Sequence, residues 1–189
     1  MRGGETTELL MIRHAPSVDG GRLAGRRDVA ADLTGARIAP LLAAIGAVDR
    51  VITSPMQRCQ QTAGALFAGW DDNANLREQD FGDWEGVLYT DLPDIGSLSG
   101  DELAAHRPPS GESFHDLCAR VCPEIHGLAA QNSGKRIAIV AHAGTIRAAL
   151  SLAVGAPAAL SFQIANLSLT RLIILQSGLC SIAGVNWQP

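Results

Sequence analysis

The stretch LLMIRHAPS, residues 9–17, decides how the fold is read. Four apolar residues, Leu9 to Ile12, run directly into Arg13-His14. An unbroken apolar run of this length reads as a strand buried on both faces. That is the pattern of a parallel sheet held between helix layers. A second stretch has the same shape: IAIVAHAGTIR, residues 137–147, in which Ile137–Ala141 ends at His142. Ala143-Gly144-Thr145 then opens a helix. In open α/β sheets, ligands bind beyond the carboxyl ends of the strands. Both histidines stand at such an end.

Outward from these two stretches, apolar runs and helical patterns alternate. Leu33–Ile45 has helical spacing and stops at Gly46. Arg50–Thr53 is a short strand, and Ser54-Pro55 predicts a helix opening, with the helix running to about Phe67. Leu76–Gly86 is turn-rich and carries Phe81 and Trp84. Ser97–Gly111, rich in Pro, Gly and Ser, reads as part of a small lid or insertion at about 88–112, with one short helix. A long helix is predicted from Glu112 or Ser113 to about Gln131, with Pro123 inside it. Gly144–Val154 is helical. Ser168–Leu175 and Leu179–Val185 are strands joined at Gln176-Ser177-Gly178. The expected fold is α/β: a three-layer α/β/α sandwich with a mostly parallel central sheet, residues 1–189 forming one domain.

The composition narrows the function classes. The 189 residues are 47% hydrophobic and 18% charged, with a net charge of -4. No basic face is evident, so nucleic acid is not an expected partner. Lys135 is the only lysine beside 14 arginines, a bias of residue usage rather than of chemistry. Cys59, Cys118, Cys122 and Cys180 form no C-x-x-C pair and read as reduced thiols of a cytoplasmic protein. MRGGETTE, residues 1–8, has no apolar core of a signal peptide and reads as a short flexible lead. No run is long enough to span a membrane.

The charged residues at the strand ends point to an anion. Arg13 adjoins His14, and Arg58 falls in the first turns of the helix after Arg50–Thr53. The helix start at Ala143 offers free N–H groups and positive potential. Singly, a strand-end histidine or a helical arginine has an ordinary structural explanation. Together, two arginines, two histidines and a helix terminus suit a dianionic phosphoryl group.

These residues lie in ordered blocks that resemble the histidine phosphatase superfamily, also called the phosphoglycerate mutase-like family. LLMIRHAPS resembles its Arg-His-Gly block, and GRLAGRRDVAADLTGAR the loop that follows. VITSPMQRCQQTA is similar to Ser-x-x-x-Arg-x-x-x-Thr-Ala, and LREQDFGDWEG to Leu-x-Glu-x-x-x-Gly-x-Trp-Glu-Gly. PPSGESFHDLCARV and IVAHAGTIR resemble the remaining two blocks. The resemblance implies a metal-independent phosphomonoester phosphatase with no cofactor. His14 would be the nucleophile that forms phosphohistidine. Arg13, Arg58 and His142, with Ala143 at the helix start, would bind the phosphate. Glu78 would be the proton donor. Asp80, Asp83 and Glu85 are rival acids by type, and the block's spacing selects Glu78, leaving Asp83 and Glu85 to orient the loop.

The chain also departs from the pattern. Ala15 and Ala143 replace glycines after the two histidines. Pro16-Ser17 replaces Glu-Thr, and the phosphate-contacting Asn has no match, with Asp19 or Gly20 near its place. The expected substrate is a small phosphorylated metabolite; length and tail look most like the α-ribazole phosphatase branch of cobalamin assembly. A sugar-phosphate phosphatase or a phosphoglycerate mutase is the alternative within the class. A phospho-ligand-binding protein without turnover is the alternative outside it. Neither membrane nor nucleic acid is an expected partner, and a homodimer is the candidate assembly. His115, Cys118, Cys122 and His126 are metal-ligand types on one helix stripe. They spread over roughly 16 Å at about 1.5 Å per residue, too far for one ion, and no metal site is expected.

Overall fold

The computed structural model describes residues 6–189. Residues 1–5 of the expected lead lie outside it, while Thr7 and Glu8 already belong to the first strand. Six strands form one sheet: β1 (Thr7–Arg13), β2 (Arg50–Thr53), β3 (Asp71–Asp72), β4 (Arg136–Ala141), β5 (Leu169–Ile174) and β6 (Cys180–Trp187). Their order is β3-β2-β4-β1-β5-β6. β3, β2, β4 and β1 run parallel. β5 is antiparallel to β1, and β6 closes the edge as a hairpin with β5. The mostly parallel sheet read from the sequence is therefore the fold.

The alternation of strand residues divides the core in two. Leu9 and Met11 of β1, with Ile137 and Ile139 of β4, face one way. They pack under α4 (Phe114–Gln131) and α5 (Ala143–Val154) through Leu117, Val121, Ile125, Ile146 and Leu150. Leu10, Ile12, Ala138 and Val140 face the other way. They meet α1 (Ile38–Ile45) and α2 (Gln57–Leu66) through Leu41, Ile45, Ala63 and Leu66. Two short helices, α3 (Gly100–Ala105) and α6 (Ala156–Ala159), add Ala104 and Ala159 to the first core. α6 and the two-residue β3 carry too little periodicity to be read from the sequence.

Two helix starts differ from expectation. α1 begins at Ile38, five residues later than Leu33, because 33–37 is taken up by turns around Gly35, whose φ is +70°. α2 begins at Gln57, and Ser54 does not cap it. The Ser54 hydroxyl is instead turned toward His142. α4 does start as read. Ser113 Oγ accepts from Asp116 N at 3.2 Å, and the Asp116 carboxylate accepts from Ser113 N at 2.7 Å, which satisfies two otherwise orphaned donors. Pro123 is accommodated on the exposed side of this helix.

The sheet order positions the site. β2, β4 and β1 are neighbours, so their carboxyl ends lie side by side. The ladder continues one residue past each: His14 N donates to Ala141 O, and Ser54 N to Val140 O, both at 3.0 Å. Three chain segments thus leave one sheet edge together. Ser113→Ala removes the reciprocal cap of the longest helix and should cost about 1 kcal/mol in thermal or denaturant unfolding; an unchanged midpoint would show the cap to be idle.

Candidate active site

His14 leaves β1 into a tightly held turn. Its Nδ1 is 2.6 Å from the carbonyl oxygen of Ala15. A carbonyl only accepts, so Nδ1 carries the proton. Nε2 then keeps its lone pair, and Arg58 Nε donates toward it at 3.3 Å. His14 is 5% exposed. Burial, then the charge of Arg58, hold its pKa down to about 3 against the Ala15 hydrogen bond, so the ring is neutral at pH 7. The turn is fixed from three sides. Ala15 N donates to Thr62 Oγ1 at 2.9 Å, Asn166 Nδ2 donates to His14 O at 2.8 Å, and Leu167 N donates to Arg13 O at 3.0 Å. Among the described residues, positive φ outside glycine is confined to Ser110, Leu167 and Asn186. Ala15 is therefore unstrained, and its methyl packs in the core against α2.

Arg58 is 1% exposed, and its guanidinium is fully directed. The terminal nitrogens donate to Gly25 O at 2.6 Å and Arg27 O at 2.9 Å, which leaves Nε for His14. Arg13 donates through one terminal nitrogen to Ile164 O at 2.6 Å, while its buried Nε has no partner. A buried donor without an acceptor is costly, and an anionic oxygen would satisfy it.

His142 caps α5 with its backbone and has no exposed surface. Its ring stands edge-on to His14, with centroids 5.1 Å apart and planes at 65°. Nε2 lies 2.8 Å from Ser54 Oγ and 3.4 Å from Cys59 Sγ. Burial foremost, then Arg58, push its pKa well below the ordinary value. Cys59 is buried beneath it, and burial pushes its thiol pKa up, as suits a packed side chain rather than a reactive one.

Glu78 approaches from the loop after the 3-10 turn Ala74–Leu76. Its Oε2 accepts from Gly144 N at 3.3 Å at the start of α5, and its Oε1 from Gln79 N at 3.0 Å. The bare glycine at 144 makes room for the carboxylate, because a Cβ there would collide with Glu78 Oε1 and press Leu117 Cδ2 at 3.0 Å. The Glu78 backbone is itself clamped. Arg120 donates to the carbonyls of Asn75, Arg77 and Glu78. Glu112 holds Arg120 at 2.9 Å and Arg26 at 2.7 Å. Asp80 meets Arg26 at 3.3 Å, and Glu85 accepts from Arg26 N and Phe81 N. The rival acids Asp80 and Glu85 thus serve the loop, as Glu85 was expected to.

These groups open on one cavity of about 310 Å³. Arg13, His14, Arg58, Glu78, Ala143 and Gly144 line it. His142 does not; it lies behind His14. Asp19 stands in the wall, accepting from Ser17 Oγ at 2.7 Å, so a carboxylate occupies the region where the resemblance expects Asn. Tyr89, from the 88–112 stretch, completes one side. Sequence reasoning did not find Arg147 and the strap at 160–167, which contributes Leu160 to the wall and anchors Arg13 and His14. The strap works through backbone carbonyls and Asn166, and carries no charge pattern.

The four potential ligands on α4 do not come together as one group. His115 and His126 are exposed, while Cys118 and Cys122 turn to Ser151 of α5 at 3.6 and 3.5 Å. Among the described residues, no helix is long and apolar enough to cross a membrane.

The sequence profile of the histidine phosphatase superfamily (branch 1) matches residues 9–188. The chain belongs to this superfamily. It is 30% identical over 202 residues to a bifunctional protein of Mycobacterium tuberculosis, a match covering 97% of this chain and 54% of that protein. The chain thus spans about half the length of the first curated relatives it matches. The structure of a mycobacterial glucosyl-3-phosphoglycerate phosphatase in complex with VO3 superposes with a TM-score of 0.83 at 25% identity, covering 96% of this chain and 99% of that one. An Escherichia coli protein described as an α-ribazole-5'-P phosphatase candidate superposes with a TM-score of 0.79 at 22% identity, covering 95% and 96%.

Two outcomes are expected. His14 is neutral when folded but binds a proton near pH 6.5 when unfolded. From pH 6.5 down to about 3 the unfolded chain holds more protons, so stability falls as pH falls through that window. His14→Gln should flatten the melting-temperature slope there; a slope equal to wild type would contradict the buried neutral ring. Gly144→Ala should expel the Glu78 carboxylate from the helix start, visible as a shifted Glu78 side chain in a crystal structure of the variant.

Proposed function

We propose that this chain is a metal-independent phosphomonoester phosphatase acting through phosphohistidine on a small phosphorylated metabolite. The observation that carries the reading is the His14 ring: neutral, buried, its Nδ1 proton fixed on Ala15 and its Nε2 lone pair turned to Arg58 Nε, in the wall of a cavity that Arg13 and Arg58 also line. A neutral imidazole held in one tautomer is a competent nucleophile at pH 7.

The first step forms a bond from Nε2 to phosphorus and breaks the bond from phosphorus to the substrate's ester oxygen. Glu78 delivers its proton to that oxygen, which leaves as an alcohol. In the second step water attacks the phosphorus of phosphohistidine, Glu78 takes the water's proton, and orthophosphate departs with Nε2 restored. Arg13, Arg58 and the start of α5 at Ala143 line the cavity that the phosphoryl oxygens would enter. Such fixed donors supply much of the rate in phosphoryl transfer. His142 holds the nucleophile's ring edge-on. Its oxygen-binding role requires the ring to leave the Ser54 hydroxyl when phosphate enters, and the anion's charge favours protonating it then.

α-Ribazole 5'-phosphate, sugar phosphates and phosphoglycerates form the substrate panel. His14→Ala should abolish turnover of every substrate that wild type hydrolyses and lose the acid-labile, alkali-stable phosphoryl label that wild type acquires. Glu78→Gln should slow p-nitrophenyl phosphate less than natural esters, since nitrophenolate needs little protonation; for alkyl esters the loss should be about 10²–10⁴-fold. A His14→Ala protein hydrolysing at the wild-type rate would sink the mechanism. Tight orthophosphate binding with no turnover across the panel would favour a phospho-ligand-binding role instead.

A further inference from the structure

The fold sorts the four cysteines into two kinds. Cys59 and Cys180 are buried, while Cys118 and Cys122 are half-buried, four residues apart on α4. Both of the latter turn to one neighbour. Ser151 Oγ of α5 lies 3.6 Å from Cys118 Sγ and 3.5 Å from Cys122 Sγ. Cys122 Sγ also donates to Ala148 O at 3.3 Å. Two thiols that solvent can reach thus converge on a single hydroxyl.

The helix between them is weakened. Pro123 follows Cys122 inside α4. Proline has no N–H, so the carbonyl of Ala119, four residues earlier, loses its intrahelical donor, and the proline ring presses on it. Ala119 lies in the turn that joins the two cysteines. Cβ atoms four residues apart on a helix stand about 5–6 Å from each other, and a disulfide needs about 3.5–4.5 Å. The turn must therefore tighten by about 1–2 Å to join the sulfurs, and it is the turn the proline has loosened.

The same turn carries Arg120. Its guanidinium donates to the carbonyls of Asn75, Arg77 and Glu78 and is held by Glu112 at 2.9 Å. Arg120 is the brace of the loop that presents the proton donor. A change of helix geometry between residues 118 and 122 moves the base of that brace.

We propose that Cys118 and Cys122 form an oxidisable pair, a site at which a hydroperoxide closes an intrahelical disulfide that displaces Arg120 and loosens Glu78. One thiolate attacks a peroxide oxygen, the O–O bond breaks, hydroxide leaves and a sulfenic acid forms. The second sulfur then attacks the first. The S–S bond forms, the S–O bond breaks and water leaves. The pair gives up two electrons and two protons, and hydrogen peroxide becomes two waters. A bond that the helix resists is readily reduced, which suits a reversible device rather than a staple. The effect on catalysis rests on the phosphatase reading above; formation of the bond does not.

The test treats the reduced protein with hydrogen peroxide and then with dithiothreitol. On oxidation the intact mass should fall by two hydrogens, and peptide mapping should join Cys118 to Cys122. Amide exchange across residues 75–79 should quicken and then recover with dithiothreitol, a readout that needs no turnover. Hydrolysis of an alkyl phosphate should slow by about 10- to 100-fold, the range for a misplaced catalytic group. p-Nitrophenyl phosphate should slow less, since its leaving group needs little protonation. Cys118→Ser and Cys122→Ser should each keep the activity of the reduced enzyme and lose the reversible response; either variant serves if the other fails to fold. Oxygen added to the two cysteines singly, with no join between them, would overturn the pair. A disulfide that leaves exchange at 75–79 unchanged, or that slows both esters equally, would overturn its action through Arg120. Absent turnover in the reduced protein, with the disulfide and the exchange response intact, would defeat the phosphatase reading alone.

Discussion

The hydrogen bond from His14 Nδ1 to the Ala15 carbonyl is the constraint on which the site depends. A histidine buried beside two guanidinium groups must be neutral, and a neutral imidazole has two tautomers. The Ala15 carbonyl selects one of them and so decides which nitrogen faces the cavity. Arg58 adds a second condition. With its terminal nitrogens held by Gly25 and Arg27, it can offer His14 only Nε. The same charge that lowers the affinity of the ring for a proton also attracts a dianion to it. Nucleophile and electrostatic clamp are one arrangement.

The acid is positioned by a different economy. Glu78 has a loop for its backbone, and loops hold side chains poorly unless tied. Here Arg120 donates to the carbonyls of Asn75, Arg77 and Glu78, and Glu112 binds Arg120 and Arg26 together. These ion pairs are only partly exposed, so their worth lies in fixing direction more than in net stability. The result is a carboxyl group held at the start of α5, at the wall of the cavity.

Much of this was legible from residues. Leu9–Ile12 and Ile137–Ala141, apolar on both faces, dictated a sandwiched parallel sheet, and histidines directly after them had to emerge at one sheet edge. The spacing from Arg50–Thr53 to Arg58 put the arginine on the first turns of α2. What stayed hidden was set by tertiary contacts. Ser54 reads as a cap by local chemistry, but its hydroxyl is shared between Met56 N at 3.5 Å and His142, far along the chain, at 2.8 Å. Arg147 stands within IAIVAHAGTIR and reads like any helical arginine, because helix phase relative to the cavity is not a local property. Burial of His142 behind His14 follows from which way each ring turns, which spacing does not encode.

The strap at 160–167 grips Arg13 and Arg147 through the main-chain oxygens of Ile164 and Phe162, and Asn186 of the edge hairpin grips the strap in turn by accepting from Ala165 N. Every residue type has a carbonyl. Side chains at 162 and 164 can therefore change without moving the charges they anchor, while a change in the length of the strap cannot. The spacing of the cavity's cations is written in the number of residues rather than in their identity, so an insertion or deletion there would retune the site where substitution would not.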